Sequence, residues 1–268
     1  MIYCIWYPSG GFGHFINSVL TLHGKKFKRP TNNIKFGKNG NSHSLHLVAP
    51  KYQTTGYNYK FDPDYHYSVL VDLGITSTSR DFMAEFSDAK FIKVCYTDVS
   101  WPVVARTMID KAMKSSIESE LALDKDSWST AEPWAQREKY FLFLRDHSLR
   151  TAWHPESGLD CILVESLMNY DVMKHTIEQT SIELSEFSQL WNKWNFYNKK
   201  YFLPVIMANL VVDKIKKQES FDLTPIKDVW TQAVIYYFIW NEFGKEVPHN
   251  NFKNFVHNVD QITQWLNQ

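Results

Sequence analysis

The sequence predicts an α/β protein: an open parallel sheet of about four to five strands, flanked by helices, with a helical C-terminal cap. Three observations carry this. Short, continuous apolar runs bounded by turn residues read as strands buried on both faces. Segments with helical spacing alternate with those runs, as parallel crossover connections require. After residue 165 the strand-like runs stop and only helical spacing continues. No Pro/Gly/Ser-rich linker intervenes, so residues 1–268 read as a single domain, with 1–165 as the sheet-forming core and 166–268 as the mainly helical cap.

Residues 2–7 (IYCIWY) are apolar throughout and stop at Pro8-Ser9-Gly10-Gly11, a buried strand running into a tight loop. Phe15, Ile16, Val19, Leu20 and Leu22 then recur at helical spacing. Residues 30–44, rich in Asn, Gly and Lys, read as an exposed loop. Residues 45–49 are a short strand ended by Pro50, and 53–65 are a second loop. Residues 67–73 and 90–96 are further buried-strand runs. Between them, 79–86 reads as a short helix with Ser79 as its N-cap. A long helix is expected over 101–121, with Pro102 in the tolerated first turn, and another over 133–149. Residues 160–164 are the last strand. Helices follow over 165–179, 184–217, 225–243 and 252–266, with Pro204 breaking or kinking the second.

Composition excludes several classes. Acidic and basic residues balance at 29 each, so no global field draws nucleic acid or an anionic membrane. Aromatics make up 16% of the chain, and large aromatics fill cores more often than they form stacking platforms. Trp191, Trp194, Phe196, Tyr197 and Tyr201, at near-helical spacing, read as core or interface and not as a base-stacking platform. Cys4, Cys95 and Cys161 each lie inside an apolar run, and none forms a CxxC pair. They read as reduced, buried thiols in a reducing, cytoplasmic setting. Met1 leads straight into the first strand without a leader pattern, and the apolar stretch 233–240 is far short of the roughly 20 residues that span a bilayer. His43 and His46 lack a third ligand nearby, so no metal is expected. Lys25, Lys26, Lys28 and Arg29 read as cations near a helix C-terminus, where its dipole favours them, or else as a patch for a ligand phosphate or an acidic acceptor.

The chemistry is expected at the loop Ser9-Gly10-Gly11-Phe12-Gly13-His14. In open parallel sheets, ligands sit beyond the carboxyl ends of the strands. Glycines let backbone approach a ligand closely, and a helix start offers N–H groups with partial positive charge. Together these suit phosphate or sulfate. The plainer reading is a tight strand-to-helix turn, though three glycines in four positions exceed what a turn needs. The pattern is neither a Walker loop nor GxGxxG.

Three segments resemble the sulfotransferase family, in the family's order, over about residues 1–200. Tyr7-Pro8-Ser9-Gly10-Gly11-Phe12-Gly13 is similar to its 5′-phosphosulfate loop. Phe86-Ser87-Asp88-Ala89-Lys90-Phe91-Ile92 looks like its "FPDAKFI" segment, and Cys161-Ile162-Leu163-Val164-Glu165-Ser166-Leu167 resembles its late strand and "YEDL" turn. The resemblance implies a P-loop NTPase-like fold and transfer of a sulfuryl group from 3′-phosphoadenylyl sulfate (PAPS) to a hydroxyl or amine. Gly10, Gly11, Gly13, His14 and Phe15 would then hold the 5′-phosphosulfate, mostly through backbone N–H. The sequence departs from the family where its loop Lys stands, here Ser9, and where its Arg follows the third strand, here Tyr96 and Thr97. The family's Ser is replaced at Val104 and Ala105. Arg106, Thr97 and Ser100 are the candidate substitutes.

Sulfuryl transfer resembles phosphoryl transfer, where positioning and charge stabilisation dominate. A base must also take the acceptor's proton. His14 is the first candidate, and it alternatively faces solvent at the helix start. Asp72 and Asp98, at the ends of strand runs, are candidates for the base or for plain helix or loop caps. The acceptor is expected to be a small molecule or glycan. Two rivals remain: a glycosyltransferase using a nucleotide sugar, suggested by fucosyltransferase-like "GGxGN" loops, and a nucleotide- or anion-binding protein without catalysis.

Overall fold

The computed structural model describes residues 1–8, 10–29, 62–72, 89–114, 131–148, 155 and 157–268. Ser9, the loop at 30–44, most of the loop at 53–65, the strand at 45–49, Leu73 of the second strand run, the helix at 79–86, Phe86-Ser87-Asp88 of the family-like segment, and residues 115–121 and 149 of the predicted helices lie outside them. The chain divides into two compact units. One holds Met1–Thr97 and Ala152–Lys199; the other holds Asp98–Thr151 and Lys200–Gln268.

Among the described residues, the first unit is built on a four-stranded, all-parallel sheet. Its strands are β1 (Ile2–Tyr7), β2 (Tyr67–Asp72), β3 (Lys90–Cys95) and β4 (Asp160–Leu163), in the order β2-β1-β3-β4. β1 matches the run expected, β3 and β4 each stop one residue short of theirs, and β2 follows its run to Asp72, the last described residue there. Cys4 and Ile5 of β1 and Ile92 and Val94 of β3 are fully buried, as strands covered on both faces must be. Helix α1 (Gly13–His23) follows β1 and buries Phe15, Ile16, Val19 and Leu20. The chain then pairs with a distant segment. Gly24 forms an antiparallel bridge with Leu184, and Ser185 N–H donates to His23 C=O at 2.7 Å. Lys25 pairs with Glu183 at 2.7 Å, and Lys28 lies over the Tyr65 ring, so these two cations are used locally.

The second unit is helical. It contains α2 (Trp101–Lys114) and α3 (Pro133–Ser148). Trp101 Nε1 donates to Leu144 C=O at 3.0 Å, which ties the two. Arg137, nearly buried on α3, donates to Gln232 Oε1 at 2.7 Å and to Phe252 C=O at 2.5 Å.

The helical last third differs from expectation in where elements stop. The helix expected from residue 165 begins as a 3₁₀ turn, Val164–Met168, and restarts as α4 (Tyr170–Gln179). Asn169 sets that restart: its side chain accepts the N–H groups of Asp171 and Val172. The next helix, α5, spans Ser188–Lys216 and not 184–217, because Leu184 and Ser185 pair with the chain after α1. Pro204 does not break α5; Phe202, Val205, Ala208 and Val211 around it are buried, and that packing outweighs the lost backbone bond. Helix α6 (Val229–Phe243) starts after 225 because Asp228 caps it, accepting Thr231 N–H at 2.8 Å. The single helix expected at 252–266 is two: α7 (His249–Lys253) and α8 (Val259–Leu266). The Tyr236 hydroxyl, between Asn251 C=O and Val256 N–H at 3.1 Å each, holds the break open. Among the described residues, no helix is long and apolar enough to cross a membrane.

Candidate functional site

The strand order fixes where a ligand can sit. The chain leaves β1 for β2 on one side, then returns past β1 to β3 on the other. The loops after β1 and β3 therefore diverge at the carboxyl edge of the sheet. In an open parallel sheet such a divergence is a topological switch point, where crevices open for ligands. The glycine loop is the β1–α1 connection at that point.

Each loop residue has a definable local task. Gly10 has φ +86°, a conformation that favours glycine. Gly11 N–H donates to Pro8 C=O at 2.8 Å and closes the turn. Gly13 lies flat against the Tyr7 ring, which leaves no room for a Cβ. Phe12 caps α1 in the left-handed region (φ 62°) through its carbonyl, which accepts Phe15 N–H at 2.9 Å. The Phe12 ring meets Trp194 of α5 edge-on, and Phe15 stacks on the same indole at 4.5 Å. So Trp194 clamps both sides of the helix start; of the five aromatics read with it, Trp194 is core, whereas Phe196 and Tyr197 are exposed on the outer side of α5 and are not core.

Two amides of the expected anion cradle, Gly11 and Phe15, thus donate inside the loop. Gly13 stands at the first position of α1, where helix geometry supplies no acceptor for its amide. His14 follows it. The imidazole is half-buried and does not simply face solvent: its Nε2 lies 3.2 Å from the Tyr7 hydroxyl, with the rings edge to face. Tyr7 is in turn the register neighbour of Asp72 on β2. The backbone therefore gathers Asp72, Tyr7 and His14 at one sheet edge.

The ends of β3 and β4 meet beside the loop's strand. Thr97 donates to Glu165 Oε1 at 2.9 Å, joining the second residue after β3 to the turn after β4. Tyr96 is buried. Glu165 is not among the sequence-derived site candidates, although its place just after the last strand run marks it. Lys93 is a second addition. It is 1% exposed, lies over the Trp6 ring, and sits directly opposite Cys161 in the β3–β4 register. The Cys161 thiol is pulled below its ordinary pKa, first by a hydrogen bond from Cys95 and also by the Lys93 charge. Burial pushes the Cys4 thiol up to about 12, so that cysteine is an inert part of the core. All three cysteines are free thiols.

Asp98, Ser100 and Arg106 belong to the second unit. Asp98 is in the turn before α2. Ser100 is buried, and its carbonyl accepts Val103 N–H at 3.0 Å at the helix start. Arg106 pairs with Asp110 one turn along α2 at 3.1 Å and lies over the Trp230 ring. Ser9 lies outside the described residues. No group of three or more His, Cys, Asp or Glu among the described residues is placed to hold a metal ion. Family models, curated proteins and solved structures offer no match to this chain; the fold and the loop geometry carry the functional argument.

Proposed function

We propose that the chain binds the phosphosulfate end of a nucleotide at the β1–α1 loop and acts as a sulfotransferase-like protein, moving a sulfuryl group from PAPS to a hydroxyl or amine acceptor. The observation that carries this reading is the glycine loop at the switch point of a parallel sheet, opening α1 with Gly13 and His14. The order of the three family-like segments supplies the reaction class. The donor set suits the phosphosulfate: backbone amide, helix N-terminus and imidazole together complement a tetrahedral anion. His14 Nε2, exchanging its bond with the Tyr7 hydroxyl for one with the acceptor, would take the acceptor's proton. The acceptor oxygen or nitrogen would bond to sulfur as the bond from sulfur to the phosphate oxygen breaks.

The 3′-phosphate is served less well. Thr97 already donates to the Glu165 carboxylate, which repels a phosphate, and Arg106 is engaged with Asp110. Those two engagements favour a second reading, a protein that binds a nucleotide or anion without transferring a group. A nucleotide-sugar transferase is the third reading, and the same loop serves its diphosphate.

A thermal-shift series with adenosine 3′,5′-bisphosphate, GDP and ATP separates them. The first reading expects stabilisation by the bisphosphate, and a ligand at 100-fold excess over its Kd adds about 2.7 kcal/mol. Stabilisation by GDP alone moves the assignment to the sugar-nucleotide class. Stabilisation by the bisphosphate without sulfuryl transfer from PAPS to any of a panel of phenols, sugars and amines selects the binding-only reading.

A further inference from the structure

Helix α5 buries one face and leaves a regular apolar row on the other. Trp194, Asn198, Phe202, Val205, Ala208 and Val211 form the buried side. Opposite them, Phe196 is 67% exposed, Leu203 55%, Ile206 47% and Leu210 38%. Lys199, also exposed, completes the row. The steps 196-199-203-206-210 alternate three and four residues, the 3.5-residue repeat of a seam for another helix. A helix lying on a membrane presents a broad apolar face instead. Single exposed apolar residues are ordinary, but a row of them in register on one 29-residue helix marks a contact surface.

We propose that α5 is a self-association helix, along which two copies of this chain pair antiparallel through Leu203, Ile206 and Leu210. The row is complementary to itself when reversed. A two-fold axis beside Ile206 sets that side chain against its own copy and puts Leu203 next to the second copy's Leu210. The same axis puts Lys199 across from the second copy's Asp213. Residues 199 and 213 are fourteen apart, so they share one flank of the helix, and an antiparallel two-fold keeps like flanks together. Asp213 holds Lys217 at 2.7 Å in an exposed pair, a weak contact that can be exchanged. Lys214 and Lys216 are paired with Glu219 and Glu242, so the C-terminal half of the row has little spare positive charge to recruit an acidic partner.

Sedimentation velocity of the full chain over a concentration series tests this. The unmodified chain is expected to reach the mass of two chains, and Leu203→Glu with Ile206→Glu is expected to stay at the mass of one with an unchanged circular dichroism spectrum. Lys199→Glu is expected to weaken the dimer about tenfold, and adding Asp213→Lys to restore it to within about threefold. A chain that stays monomeric throughout overturns the proposal. So does a dimer indifferent to the two glutamates, or a charge swap no tighter than Lys199→Glu alone.

Discussion

The Tyr7 ring occupies the space that any side chain at Gly13 would need. The last residue of β1 thus packs against the first residue of α1, and the loop between them is drawn tight. Gly13 is required for packing as well as for any ligand. Gly13→Ala is expected to cost about 1–3 kcal/mol by overpacking, because the ring it meets is buried and cannot swing away. Chemical denaturation compared with the unmodified chain checks this.

Trp194 anchors the other side of the loop. It is fully buried, stacked on Phe15 with planes within 9° and edge-on to Phe12. Trp194→Ala is expected to lose roughly 3–5 kcal/mol, the usual range for a buried aromatic cut to Ala. Trp194→Phe is expected to retain most of that. If the loop depends on this clamp, nucleotide affinity falls with Trp194→Ala even where the protein remains folded, which calorimetry at low temperature reads.

Much of the first unit was legible because its strands are covered on both faces. The continuous apolar run Ile2–Tyr7, and the apolar Phe91, Ile92, Val94 and Cys95 of Lys90–Cys95, follow directly from that burial. The glycine loop was legible because its residues act through backbone geometry. The helix boundaries of the last third were not. They are set by single side-chain bonds from Asn169, Asp228 and Asn258, and by the Tyr236 hydroxyl reaching across fifteen residues to Asn251. Apolar spacing does not encode such bonds. Lys93 was hidden for a similar reason: its neighbour Cys161 comes from another strand, and only the sheet order brings them together.

Arg137 is a buried cation whose bonds go to a neutral amide and a backbone carbonyl, not to an acid. Burial lowers its pKa accordingly. Arg137→Ala is expected to destabilise by roughly 2–3 kcal/mol, since it removes charge-assisted bonds and leaves the Phe252 carbonyl and Gln232 amide without their donor. Arg137→Lys is expected to recover only part of this, because the ammonium cannot reach both acceptors with one planar fork. Thermal unfolding of the two variants distinguishes these outcomes.

Alkaline pH is expected to weaken the fold through two tyrosines. Burial pushes the Tyr236 hydroxyl up to about 12; burial and then Asp110 push Tyr201 up to about 12. The fold therefore favours their neutral forms. That stability is fully present below the ordinary value of 10.0 and is lost as pH rises toward 12. Unfolding temperature measured across pH 8–12 is expected to fall in the upper part of the range. Tyr236→Phe, which has no proton to lose, is expected to fall less steeply.

The central claim is that the β1–α1 loop holds a phosphate- or sulfate-bearing nucleotide. Calorimetric titration of the full chain with adenosine 3′,5′-bisphosphate tests it most directly. The account predicts saturable binding of one nucleotide per chain, weakened about tenfold or more by His14→Ala and competed by inorganic sulfate. Binding that ignores His14→Ala and sulfate, or no binding of this nucleotide, GDP or ATP at all, would contradict it.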